Sequence, residues 1–131
     1  MMFLAIALAL IEGVGTMVLP PDVPSDVQII EESGRYVMRS NPSDKALYTY
    51  DRDRPGESTC AGQCAALWPP LHARSGARPV SRWTPIRRAD GSSQWAFGGR
   101  PVYLFAHDPE GRATGDGTGG VWHALPTIPA H

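Results

Sequence analysis

From residue 27 onwards the hydrophobic positions come in short runs, broken by Gly, Pro, Asp and Asn. Period-two alternation and turn residues dominate, which is the signature of strands rather than helices. The pattern predicts strands at 27–30, 36–39 and 46–50, with a turn at 40–44 between the last two. It predicts further short strands at 83–88, 94–97, 100–105 and 121–125. Gly98 and Gly99 stand between two apolar runs, and both can take positive φ, so a two-residue hairpin is expected there. Asp90 and Gly91 mark another turn, and Pro126 and Pro129 end the last strand. One helical turn is predicted over 61–67, capped by Ser58 or Thr59 and stopped by Pro69 and Pro70.

The chain also repeats itself. Tyr48, Thr49 and Tyr50 lead to Asp53, Gly56, Thr59 and Gly62. From Tyr48 to Tyr103 is 55 residues, and there Tyr103, Leu104 and Phe105 lead to Asp108, Gly111, Thr114 and Gly117 at the same offsets. Two copies of one supersecondary unit imply that each covers a face the other cannot bury alone. The expected architecture is all-β, with two pseudo-symmetric hairpin-based repeats packed face to face as a small sandwich or barrel. On a strand, Tyr48 shares a face with Tyr50, Tyr103 with Phe105, and Trp95 with Phe97. These rings are expected to form the core between the copies, with Trp68, Trp95 and Trp122 buried. An exposed stacking platform for a planar ligand is the alternative. Asp53 and Asp108 each follow a strand and are expected to bond backbone N–H groups about two residues on, as in an Asx turn.

The start of the chain is different. Residues 1–11 are apolar, Glu12 follows, and Gly13, Val14 and Gly15 offer small residues for cleavage. Two readings place the domain outside the cytoplasm. Residues 1–19 are either a cleaved export signal or a retained apolar helix in the membrane, in which Glu12 would contact a partner. A third reading makes them part of the core. The prolines of 20–26 read as an extended linker, 27–126 as the duplicated β-domain, and 127–131 as a tail.

Composition narrows the chemistry. Formal net charge is −1, and the eleven arginines are interleaved with acidic residues, so nucleic acid is not an expected partner. Cys60 and Cys64 are the only cysteines; in an exported chain they read as a disulfide. His107 and His123 are the candidate metal or ligand contacts, although no second ligand stands at metal spacing. Phosphate-loop, dinucleotide and hydrolase signatures are missing, and no cofactor or catalytic residue is expected. The Gly-rich stretch 115–120 lacks a following helix and reads as a turn.

The repeated Tyr-x-(Phe/Trp/Tyr)-x-x-Asp motif, Tyr48 to Asp53 and Tyr103 to Asp108, resembles that of a family of exported bacterial repeat lipoproteins. The blocks at 55–70, 88–95 and 119–123 resemble its other segments, so the resemblance covers about 35–125. Members are often lipid-anchored through an N-terminal Cys. No Cys precedes Cys60 here, so lipidation is not expected. The resemblance implies a periplasmic or extracellular domain and carries over no catalytic residue. The function expected is a non-enzymatic binding or accessory module with a protein partner at the membrane surface. One alternative is an anchored accessory subunit of an electron-transfer or photosynthetic complex. Another is a metal or redox-ligand carrier using His107 or His123.

Overall fold

The computed structural model describes residues 16–131. It contains eight short strands and one short helix. These are β1 (Val27–Glu32), β2 (Arg35–Ser40), β3 (Tyr48–Tyr50), α1 (Gln63–Leu67), β4 (Trp83–Arg87), β5 (Ser93–Phe97), β6 (Arg100–Pro101), β7 (Trp122–Ala124) and β8 (Ile128–Pro129). The strands close no barrel. They form three small antiparallel sheets, ordered β1-β2-β8, β3-β7 and β4-β5-β6. Residues 1–15, and with them Glu12 and most of the apolar N-terminal segment, lie outside the described residues.

The hairpin predicted at Gly98 and Gly99 is present. Both glycines have positive φ, 58° and 82°, and join β5 to β6. A Cβ on Gly98 would also lie 2.6 Å from the Arg82 guanidinium, which would have to swing aside, so the positive φ is the firmer reason for glycine here. The first copy departs from expectation. Residues 36–39 and 46–50 were expected to pair with each other, but only one bridge, Arg39 to Ala46, joins them. The full partner of β2 is β1, and that of β3 is β7 from the second copy. The Ser33-Gly34 turn makes the first pairing local, with φ values of 51° and 75°. The helix also begins differently. Gly62 caps α1 without a side-chain bond, because Ser58 and Thr59 are engaged elsewhere.

The copies interleave along Tyr103. Tyr48 and Tyr103 exchange both backbone hydrogen bonds, at 2.8 and 2.9 Å. On the other side, Leu104 N–H reaches Pro69 O, Ala106 N–H reaches Leu67 O, and Leu71 N–H reaches Val102 O. The second copy's return segment thus lies between β3 and the chain leaving α1. Two clusters form the interior. One gathers Val27, Met38, Leu47, Leu71, Trp83, Trp95 and Val102; the other Ala46, Tyr48, Cys60, Trp68, Tyr103 and Trp122.

The second cluster is built around a column of four rings. Phe105 lies on Trp68 at 4.4 Å, Trp68 on Trp122 at 4.0 Å with planes 3° apart, and Trp122 on Tyr50 at 4.2 Å. Tyr50 and Phe105 are repeat equivalents, and Trp68 and Trp122 are equivalent apart from one residue of slippage. Each copy therefore places its tryptophan beside the other copy's motif aromatic. The rings are core, as expected, and form no open platform: Trp68, Trp95 and Trp122 are all buried.

The ends also join the domain. Val23 packs on the first cluster, Pro24 O accepts from Val27 N–H, and Asp26 accepts from Trp95 Nε1 at 2.9 Å. Residues 127–131 carry β8, and Ala130 is buried. Residues 16–19, which the apolar-helix reading includes, are not helical.

Removing one interior ring of the column should show how much it contributes. Trp122→Ala deletes contacts to Trp68, Tyr50 and Tyr103 together. We expect about 3–5 kcal/mol of lost stability, measured as the shift in the urea or guanidinium unfolding midpoint of the domain.

Candidate functional site

Each motif aspartate turns out to serve as the hub of a clamp. In the first copy, Asp53 Oδ1 accepts from Thr59 N–H at 2.8 Å and from Thr59 Oγ1 at 2.9 Å. Its other oxygen accepts from the Tyr103 hydroxyl at 2.6 Å. In the second copy, Asp108 Oδ1 accepts from Thr114 N–H at 2.9 Å and from Thr114 Oγ1 at 2.5 Å. Its other oxygen accepts from the Tyr48 hydroxyl at 2.5 Å. Both carboxylates therefore close a loop onto a threonine six residues on, rather than the two-residue Asx turn expected. The backbone turn is shared as well: Asp53 N–H reaches Tyr50 O and Asp108 N–H reaches Phe105 O, both at 3.1 Å.

The tyrosines are exchanged between copies. Tyr48 belongs to the first repeat and binds the second repeat's aspartate; Tyr103 does the reverse. Both side chains are fully buried. Burial raises each hydroxyl well above its ordinary pKa of 10.0, and the carboxylate it donates to raises it further. Both tyrosines are thus fixed as neutral donors at physiological pH.

The two clamps differ in what surrounds them. Tyr103 OH also accepts from Ser58 Oγ at 2.6 Å, and Ser58 in turn accepts from Arg88 Nη1 at 3.0 Å. Arg88 is buried and extends to Gln94 Oε1 at 2.7 Å and to Cys60 O at 2.6 Å. Gln94, which has no exposed surface, donates to Val102 O. Cys60 and Cys64 are joined by a disulfide. At the equivalent place in the second copy stands Gly115, whose N–H donates to Tyr48 OH at 3.1 Å. A Cβ there would meet Trp68 Cη2 at 2.7 Å and Phe105 at 3.0 Å. The aromatic column thus occupies the space that a cysteine would need.

The histidines stand apart from these clamps. His107 is exposed and edge-on to Phe105. His123 lies at 2.7 Å from Asp51 Oδ2, and Asp51 also faces Arg100 at 3.4 Å. Among the described residues, no group of three or more His, Cys, Asp or Glu side chains is placed to hold a metal ion. The clefts are small. One of 260 Å³ is lined by Asp53, Arg54, Pro55, Arg100 and Pro101; another of 220 Å³ is lined mainly by apolar residues, Val37, Leu47 and Leu125 among them. Both fall below the usual 300–1,000 Å³ or so of a small-molecule site.

Residues 40–72 and 84–125 match the family described as a secreted repeat of unknown function, one stretch for each copy, and the chain belongs to it. No curated protein and no solved structure matches the chain. Membership places the domain among secreted proteins. No helix of the described residues is long and apolar enough to cross a membrane.

Two outcomes follow for this region. The phenol–carboxylate bonds link stability to alkaline pH. Below about pH 10 both tyrosines are protonated whether folded or unfolded, and their contribution is complete. As pH rises above 10 the unfolded tyrosines ionise while the folded ones resist, so stability should fall. Tyr48→Phe with Tyr103→Phe should flatten that fall, and each single change should cost about 1–3 kcal/mol at pH 7 by leaving a carboxylate oxygen unmet; denaturant midpoints across pH 7–11 provide the check. Separately, Gly115→Ala should cost about 1–3 kcal/mol through overpacking, whereas Gly117→Ala, where a Cβ meets nothing within 4 Å, should lose only what its φ of +83° demands. An unchanged midpoint for Gly115→Ala would contradict the steric account.

Proposed function

We propose that the domain is an extracytoplasmic, non-enzymatic binding or accessory module that works through its surface. The observation that carries this reading is the commitment of the motif itself. Tyr48, Tyr103, Asp53 and Asp108 spend their polar atoms on one another and on loop threonines. A carboxylate and phenol so engaged are poor candidates for proton transfer to a substrate, and they serve to set loop shape. What remains for recognition is the surface of two rigid, unequal loops, one closed by the disulfide and one rich in glycine. A protein partner suits this better than a small molecule, because the clefts are shallow and small. Such a partner could be a membrane complex of the electron-transfer or photosynthetic kind, with Glu12 contributing a contact.

The test is to isolate the full chain from membranes and from the soluble fraction in mild detergent, then determine its native mass, its bound partners and its metal content. The expected result is a metal-free chain in a stoichiometric complex with another protein. A lone chain holding one equivalent of copper, zinc or iron that disappears in His107→Ala or His123→Ala would replace this reading with that of a metal carrier.

A further inference from the structure

Two arginines are buried among the described residues, Arg39 and Arg88. Arg39 meets two carboxylates, Glu32 at 2.8 Å and Asp44 at 3.5 Å. Arg88 forms no ion pair among the described residues, and its bonds go to neutral oxygens of Ser58, Gln94 and Cys60. Its network reaches a carboxylate only at Asp53, through the hydroxyls of Ser58 and Tyr103. A guanidinium taken out of water calls for a counter-charge and for acceptors on all its N–H groups. Arg88 has neither in full. Nη1 is spent on Ser58 and Gln94, and one Nη2 hydrogen on Cys60 O. The Nε–H and the second Nη2–H meet no acceptor among the described residues. These two nitrogens form one edge of the guanidinium, an edge that a carboxylate can meet with two parallel bonds.

Arg88 also lines a cleft of about 150 Å³, enclosed by the disulfide turn at 60–62, by Ala65 of α1 and by the turn at 89–90. Its walls are fixed. Cys60 is bonded to Cys64, and Thr59 is held by Asp53. Asp90 Oδ1 accepts from Ser92 N–H at 2.9 Å and from Ser92 Oγ at 2.6 Å. The space is well below that of a metabolite site, but it admits one acid group. The rim limits the charge of that group. The Asp90 carboxyl is exposed and lies below its ordinary pKa of 3.8, because of the Ser92 bonds and, to a lesser extent, Arg88. Asp90 is therefore ionised at neutral pH and opposes a second negative charge. A planar monoanion with two oxygens suits one guanidinium edge beside one carboxylate; a doubly charged phosphate or sulfate does not. We propose that this cleft binds a single carboxylate group, held by Arg88 between the disulfide turn and the Asp90 turn. The group belongs to a small organic acid or to an acidic side chain of a protein partner, and the chemistry is the same. The second source rests on the binding-module reading; the site itself does not.

The Arg88 Nε–H resonance tests it. The isotope-labelled full chain, in mild detergent at pH 7, is titrated with sodium acetate in place of sodium chloride at constant ionic strength. The expected result is a saturable, one-to-one shift of the Arg88 Nε–H and of the Ala61 and Gly62 amides. Asp90→Asn keeps an oxygen for Ser92 and removes the negative charge at the rim, so it should bind acetate about threefold more tightly. Ala65→Leu leaves Arg88 and its bonds in place but fills the cleft, so the shift should vanish. Neither variant touches the buried network, whereas Arg88→Lys risks the fold itself. A shift linear in acetate, or a saturable one unchanged in both variants, would overturn the proposal. Tighter binding of sodium sulfate than of acetate would overturn the choice of a carboxylate. The blocked peptide acetyl-Ala-Glu-Ala-amide separates the sources: saturation at lower concentration than acetate assigns the group to a protein partner, and weaker binding than acetate assigns it to a free acid. A chain that ignores acetate yet is isolated in a stoichiometric complex would lose this site and keep the binding-module reading, so the two fail separately.

Discussion

The whole second cluster depends on a pair of reciprocal bonds: the Tyr48 hydroxyl to Asp108, and the Tyr103 hydroxyl to Asp53. Their strength comes from burial. A neutral phenol donating to a carboxylate away from water makes a short, charge-assisted bond. Losing the Tyr48 hydroxyl would leave a desolvated Asp108 oxygen with no replacement, whereas Asp53 is only half-buried. Because each bond runs between copies, neither repeat alone satisfies both oxygens of its aspartate. The same two tyrosines exchange both backbone hydrogen bonds, so the centre of the domain is fixed by main chain and side chains together. Around this point the strands β3 and β7 also pair across copies, and so do the rings of the aromatic column. Duplication is therefore a folding requirement here and not merely a doubled unit.

Much of this is legible in the sequence. Gly98 and Gly99 announced their hairpin because a two-residue turn with positive φ at both positions admits few other residues. The matched offsets of Tyr, Asp and Thr announced a duplicated unit, because three polar residue types do not recur at fixed spacing without a common geometry. The aromatic count announced a packed core. In each case the signal was local, or was periodic at one fixed distance.

What stayed hidden was pairing at long range. The sequence of 36–50 looks like a hairpin, yet β2 has a closer partner in β1 through Ser33-Gly34, a Ser-Gly step that is itself a turn signal. Once β1 takes that edge, β3 is left for β7. Tyrosine exchange was equally invisible, since the spacing is identical whether Tyr48 binds Asp53 or Asp108. Arg88 and Gln94 were missed as structural hubs because a charged residue beside a turn, and a Gln beside Trp95, read as surface. Their burial depends on Ser58 and Cys60 arriving from another part of the chain. The reach of Asp53 to Thr59 was hidden by the commoner two-residue Asx geometry, although the recurrence of Thr59 and Thr114 at one offset carried the information.

The two halves are alike where they hold each other and unlike where they face outwards. The exchanged tyrosines, aspartates, threonines and rings occupy equivalent positions, and their contacts are nearly superimposable in kind. Divergence flanks the threonine: Ser58 before it is Ala113 in the second copy, and the larger difference lies one residue beyond it. There the first copy has Cys60, bonded to Cys64 and bracketed by Arg88, whereas the second has Gly115, pressed against Trp68 and followed by a glycine-rich turn. A cysteine could not replace Gly115 without displacing the column, so the difference follows from packing and does not depend on redox chemistry. Its consequence is a domain with a symmetric interior and two dissimilar loops, one cross-linked and one open. A symmetric interior constrains both loops to the same frame, while their different closures make the two ends of the domain distinct. The symmetry supplies the shared frame, and its local loss follows from what each loop must pack against.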